Sequence, residues 1–192
     1  MIDRRAARVL PSVVLAAALA FGATGCGGDG GSGKDTSSST SASDAQKAKS
    51  ALDAGLKAHA SGDLTTAAAD YNRTLKYDGT NKFAFYNLAL IDEASGNYGL
   101  AEAKYRSALK ADATYEPALF NLAILRTSRD PKEAVSLYRR AVAANPKDAS
   151  AWLNLGLLLR AAGDKTPGNN AVTHAIALNP KLKDPAKSSQ KG

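Results

Sequence analysis

Along the middle of the chain the apolar positions fall four residues apart, as in Leu52 with Leu56, Tyr86 with Leu90, Phe120 with Ile124 and Leu153 with Leu157. That spacing places each pair on one face of an α-helix. A longer rhythm lies over it. Ala precedes Tyr by four residues at Ala67 and Tyr71, at Ala101 and Tyr105, and at Ala134 and Tyr138, with 34 and 33 residues between successive pairs. Polar breaks keep the same period, at Asp63, Asn97, Asp130 and Asp164 and again at Asp78, Asp112, Asn145 and Asn179. A period of this length marks a helical repeat whose units bury their apolar faces only against one another. Small residues at Ala101, Ala108, Ala134 and Ala141 let two antiparallel helices approach, and the three tyrosines fill the space between units. An array of this kind presents a continuous surface and rarely carries chemistry of its own, which points toward binding.

Trp152, Leu155, Gly156 and Leu159 stand at the spacing of the first-helix signature of the tetratricopeptide repeat, with Leu159 where that family usually has Tyr. Ala108 and Ala141 follow their tyrosines by three residues, and Asn145-Pro146 and Asn179-Pro180 close units as the family pattern asks. The chain therefore resembles a tetratricopeptide-repeat protein. The resemblance implies an all-α, right-handed α-solenoid of about four helix pairs within residues 45–180, the repeats spanning 48–81, 82–115, 116–148 and 149–182. Two units depart from the pattern. The third lacks one residue between Ala123 and Asp130 and has Arg129 where the others have Gly62, Gly96 and Gly163, so a tighter turn is expected. The fourth has Gly168 for the usual Ala and Val172 for the usual Tyr, and Gly weakens a helix by about 1 kcal/mol relative to Ala.

Ahead of the repeats, Arg4, Arg5 and Arg8 precede an apolar stretch from Val9 to Phe21 and then Gly22-Ala23-Thr24-Gly25-Cys26. The layout is that of an export signal over residues 1–25, and the apolar stretch falls short of the roughly 20 residues a membrane-spanning helix needs. Small residues ending at the single Cys resemble a bacterial lipobox. That resemblance implies cleavage before Cys26, a diacylglycerol on its thiol and a lipid-anchored protein on the extracytoplasmic face of the cell membrane. An ordinary signal-peptidase site with an incidental Cys is the other reading. Residues 26–44, with five Gly and eight Ser or Thr from Gly27 onward, read as a flexible linker, and 181–192 as a basic, disordered tail.

The formal charge of +7 falls to +5 when residues 1–25, with three Arg and one Asp, are removed, and the tail holds most of the remainder. No basic stripe interleaved with aromatics marks a nucleic-acid face, so nucleic acid is not an expected partner. His59 and His174 are isolated, and Glu102 and Glu116 are lone acids. Neither an enzyme, a metal site nor a cofactor is expected.

The resemblance places the first helix of each pair on the concave surface, where one column reads Asp53, Asn87, Asn121, Asn154. Three amides at one-repeat intervals suit an extended peptide, since each side chain both donates and accepts. The alternative is that they bond the neighbouring helix. Apolar positions flank them, Tyr86, Phe120 and Leu153 one residue earlier, Leu90 and Ile124 three residues later, with Phe83 beside them. The predicted partner is a protein or extended peptide, held by a membrane-anchored scaffold in envelope or secretion-complex assembly. A structural lipoprotein that self-associates or bridges through an uncapped fourth repeat is the rival, its homodimer contact drawing on Val172, Ile176 and Leu178.

Overall fold

The computed structural model describes residues 36–188, with side chains over 43–186. The export signal, Cys26 and most of the linker lie outside the described residues, as do the last four residues of the tail. Four helix pairs follow one another: α1 Thr36–Ala60 with α2 Leu64–Tyr77, α3 Lys82–Ala94 with α4 Tyr98–Ala111, α5 Glu116–Arg126 with α6 Pro131–Ala144, and α7 Ala149–Ala161 with α8 Lys165–Leu178. A single turn, α9 Pro185–Ser188, comes last. Among the described residues there is no strand, and no helix is long and apolar enough to cross a membrane.

Each pair closes around small residues on both helices, and in the first pair Gly55 lies against the Tyr71 ring and Asp70. Gly55, Ala89, Ala123 and Gly156 on the first helices are buried, and so are Ala67, Ala101, Ala134 and Gly168 one helix later. Tyr71, Tyr105 and Tyr138 are buried to 0%, 0% and 2% exposure, as their spacing predicts. Leu119 and Leu122 of α5 are fully buried with them, each stabilising the fold by about 1.5–3 kcal/mol relative to an exposed leucine.

The turns within pairs show how the third unit manages without a glycine. Gly62, Gly96 and Gly163 have φ of 82, 78 and 94°, a left-handed conformation that costs other residues. It lets the next backbone N–H reach five residues back, Asp63 to Ala58, Asn97 to Asp92 and Asp164 to Leu159, at 3.0, 2.8 and 2.9 Å. In the third unit Asp130 N instead reaches only four residues back, to the Arg126 carbonyl at 2.7 Å, so no residue there needs a positive φ. The missing residue has become a tighter turn. Asp130 then caps α6 by accepting from Glu133 N at 3.0 Å, with Pro131 opening the helix.

Three expectations change. First, α1 begins at Thr36, inside the segment read as linker. The glycines end at Gly33, and the Ser, Thr and Ala that follow cost little to add to a helix already fixed by packing downstream. Second, Gly168 is no mere weakness. A Cβ on Gly156 would lie 2.8 Å from the Gly168 carbonyl oxygen, and one on Gly168 would lie 2.8 Å from the Gly156 carbonyl oxygen, so α7 and α8 meet backbone to backbone. The close approach buries Val172 to 1% exposure, which withdraws it from any dimer contact; Ile176 is half-buried and Leu178 exposed. Third, the tail does not leave the array at Pro180. Arg160 donates from both Nη atoms to the Asp184 carboxylate at 2.7 and 3.0 Å and from Nε to Asn169 at 2.7 Å, and Asp184 is buried beneath this fork.

Candidate functional site

The first helices carry the predicted binding column, and their packing decides which parts of it face solvent. Asn81 caps α3 by accepting from Ala84 N at 3.0 Å, and Asp148 caps α7 by accepting from Ser150 N at 2.7 Å. These caps fix where each first helix starts. Along α3, Phe83 is 37% exposed, whereas Tyr86 and Leu90 are half-buried. Along α5, Phe120 is half-buried and Ile124 is 42% exposed, and on α7 Leu153 is half-buried.

Tyr86 is the hub. Its ring stands edge-on to Tyr115 at 5.5 Å and tilted to Tyr105 at 5.8 Å, and its hydroxyl accepts from Asn121 Nδ2 at 3.1 Å. Burial pushes that hydroxyl up to about 12. Phe83 meets Tyr115 edge-on at 5.7 Å, and Lys82 lies 5.1 Å from both ring centroids while donating to Asp112 at 2.6 Å. The Lys82 ammonium holds the Asp112 carboxyl down at about 2. Tyr115 and Lys82 belong to this cluster although the repeat pattern does not mark them. Tyr115 stands at the junction between units, where Asn81 and Asp148 occupy the corresponding cap and give no apolar signal.

The three asparagines have unlike surroundings. Asn87 Nδ2 donates to the Phe83 carbonyl of its own helix at 2.8 Å. Asn121 spans to the preceding repeat through the Tyr86 hydroxyl. Asn154 lies near the Tyr138 phenol, which burial pushes up to about 12 while Thr127 and then Asn154 offset part of that rise. One of the amides, that of Asn121, therefore joins two repeats. Phe120 packs edge-on to Tyr138 at 5.9 Å, so it too serves the core.

Further along the array, at the start of α5, one carboxyl lies close to another. Burial, and then the neighbouring Asp148 carboxyl, push the Glu116 carboxyl up to about 7. Glu102, Glu133 and both histidines are tied into the fold. Glu102 and Glu133 are bridged by Arg106 and Arg126, with Arg126 Nε 2.6 Å from Glu133 and Arg106 Nη2 2.7 Å from it. His59 Nδ1 lies 3.2 Å from the Tyr71 hydroxyl, and His174 meets the Trp152 ring edge-on at 4.7 Å. Among the described residues no three His, Cys, Asp or Glu gather as for a metal ion.

Two recesses open on the surface. One, of about 550 Å³, lies between α1 and the start of α3 and is lined by Lys49, Leu52, Tyr77 and Phe83. The other, of about 490 Å³, lies among α6, α7 and α8 and is lined by Arg139, Val142, Trp152 and His174. Asn87, Asn121 and Asn154 line neither.

The architecture has many solved counterparts. MamA from Desulfovibrio magneticus RS-1 aligns with a TM-score of 0.62 at 21% identity, over 71% of this chain and 77% of that one. Pseudomonas aeruginosa pilF aligns with a TM-score of 0.62 at 20% identity, over 73% of this chain and 64% of that one. A tetratricopeptide repeat protein from Parabacteroides merdae gives 0.62 at 21% identity, over 71% and 55%. At these identities the likeness is one of fold. No curated protein sequence matches the chain. The tetratricopeptide repeat family model matches residues 46–116 and 124–166. Such an array is a scaffold suited to protein–protein interaction. With more than half of its residues matched by that model, the chain belongs to the tetratricopeptide repeat family.

Proposed function

We propose that the protein is a lipid-anchored scaffold on the extracytoplasmic face of a bacterial cell membrane, which holds an extended protein or peptide segment along its first helices while an envelope or secretion complex assembles. The observation that carries this reading is the apolar first-helix surface, where Phe83 and Ile124 stand exposed beside half-buried Tyr86, Leu90, Phe120 and Leu153. Apolar side chains aligned on successive repeats offer the area that a bound chain needs. The asparagines orient it, because each amide keeps an unused acceptor or donor and a neutral hydrogen bond contributes only about 0.5–1.5 kcal/mol. Membrane attachment is supported by the order of basic residues, apolar stretch and small residues ending at Cys26. Two acyl chains give stable attachment where one is marginal.

In-cell crosslinking of the full-length protein, followed by mass spectrometry, tests the groove. The double variant Phe83→Ser with Ile124→Ser is expected to lose the partner's crosslinks while keeping its helical circular dichroism. Full retention of the same partner would refute the groove. The anchor is tested separately by Cys26→Ser, which is expected to move the chain from the membrane fraction to the soluble one; a variant that stays membrane-bound as firmly as the parent refutes the acyl attachment.

A further inference from the structure

The second helices α2, α4 and α6 carry eight bases against three acids, and the acids are less exposed than the arginines that cover them. On α2, the Arg73 side chain is 53% exposed over a partner, Asp70, that is 10% exposed. On α4, Arg106 is 47% exposed over Glu102 at 19%, and it also covers Glu133 of α6 at 26%. Lys76, Lys110, Arg139 and Arg140 are exposed, and none of the four makes an ion pair among the described residues. The placement recurs with the repeat: Lys110 stands one unit after Lys76, and Arg139 one unit after Arg106. Between the bases lie Asn72, Ser107 and Ser136 on the same helices. The first helices come close to balance, with six bases against five acids over α1, α3, α5 and α7.

We infer that this face docks on an anionic phospholipid surface and so sets the orientation of the array, leaving the first-helix groove turned away from the bilayer. Charge complementarity favours that occupant, because many dispersed cations with small residues between them suit a plane of phosphate headgroups. Nucleic acid would call for exposed aromatic rings interleaved with the bases. Proximity adds to the case, resting on the Cys26 anchor proposed above. Helix α1 begins ten positions after Cys26, so even a fully extended connection of about 3.3–3.6 Å per residue limits the start of α1 to about 35 Å from the anchor point.

The test uses the full chain with Cys26→Ser, so that no acyl chain contributes, sedimented with neutral phosphatidylcholine vesicles and with vesicles containing one third phosphatidylglycerol. Each cation near an anionic surface changes partitioning by roughly fivefold. Replacing Lys76, Lys110, Arg139 and Arg140 together by Gln is expected to weaken binding to the anionic vesicles at least tenfold, while binding to neutral vesicles stays the same. Lys76→Gln with Lys110→Gln, which leaves the Arg140 hydrogen bond to the Ala113 carbonyl in place, is the second variant and is expected to lose a smaller share. The control removes the same charge elsewhere, by Gln at Lys181, Lys183, Lys187 and Lys191, and is expected to bind nearly as the parent does. Equal loss in the control and the four-site variant, or parental binding by the four-site variant, overturns the proposal. Retention by soluble polyphosphate but not by vesicles overturns the lipid assignment as well. Failure of the anchor would instead appear as an unacylated Cys26 in the mass of the mature parent chain, whatever the vesicles show.

Discussion

The third and fourth repeats both break the repeat pattern, and they repair the break by opposite means. The third has lost a residue and the glycine of its turn, and a cluster of charges surrounds the place: Arg126 at the end of α5 lies against Glu102 of α4 and Glu133 of α6. The fourth has lost a tyrosine and an alanine methyl, and answers by bringing two backbones into contact at Gly156 and Gly168. Charge at a surface adapts to small errors of geometry, since long side chains swing and ions screen. A backbone contact does not, because no atom there is able to move without moving a helix. Gly156→Val therefore breaks the comparison most sharply. Its Cβ alone would lie 2.7 Å from Val172 Cγ2 and 2.8 Å from the Gly168 carbonyl oxygen. Overpacking of this kind is expected to cost about 3 kcal/mol, lowering the melting midpoint by roughly 10 °C, and thermal denaturation followed by circular dichroism measures it. A midpoint within 2 °C of the parent would mean that α7 and α8 are free to separate.

Arg126→Leu probes the other repair. It leaves Glu102, Glu133 and Asp130 facing one another with Arg106 as the remaining partner of the two glutamates. The midpoint is expected to fall less than in Gly156→Val, and the parent's advantage to shrink as salt is raised from low to about 1 M, where the screening length drops to about 3 Å. A deficit that does not change with salt would assign the role of Arg126 to packing.

A subtler contrast lies at the starts of α3 and α5. Lys82 meets the Asp112 carboxylate, whereas Glu116, one unit later, meets another carboxyl at Asp148. Their pH dependences have opposite signs. Asp112 has a folded pKa of about 2 against an ordinary 3.8, so its contribution is present above pH 3.8 and is lost toward pH 2. Glu116 has a folded value of about 7 against an ordinary 4.5, so the folded state holds the extra proton between these values. Its contribution is fully present below pH 4.5 and is lost as pH rises through 7. From pH 5 to pH 8 Asp112 does not change and Glu116 does, while His59, whose value burial lowers, works with the opposite sign in both chains, so the parent's melting midpoint is expected to fall relative to that of Glu116→Gln over that range. Identical slopes for the two chains would remove Glu116 as the source.

Much of the fold is legible in the sequence because the repeat imposes the same steric demand again and again. An alanine four residues before a tyrosine states that two helices touch and that a ring fills the gap behind them, and this holds at Tyr71, Tyr105 and Tyr138. What escapes the pattern is whatever happens once. The partnership of Gly156 with Gly168 is hidden because each glycine alone reads as flexibility, and only their contact makes them a packing device. Asp184 reads as part of a charged tail because nothing local says that Arg160, 24 residues earlier, reaches it. The candidate site is only partly legible for a related reason. The Asn column fixes a position on the helix but not the direction in which each amide turns, which depends on whether a tyrosine hydroxyl is within reach.

That difference yields the smallest of the expected effects and the one that bears most directly on the site. Asn87 bonds only a carbonyl of its own helix, so Asn87→Ala removes a local bond at a partly solvated place and is expected to change stability by no more than about 0.5 kcal/mol. Asn121 holds the Tyr86 hydroxyl across the repeat junction, and its loss leaves that partly buried hydroxyl without this donor. Asn121→Ala is therefore expected to cost about 1 kcal/mol in chemical denaturation, and Tyr86→Phe in the same background little more, because the two changes remove one shared bond. If the double variant instead loses the sum of the single ones, the amide and the hydroxyl act independently, and Asn121 joins Asn87 as a residue free for a ligand. If the losses overlap as expected, Asn87 is the amide through which peptide binding is tested without disturbing the array, and a fall in partner affinity on Asn87→Ala at unchanged stability separates recognition from architecture.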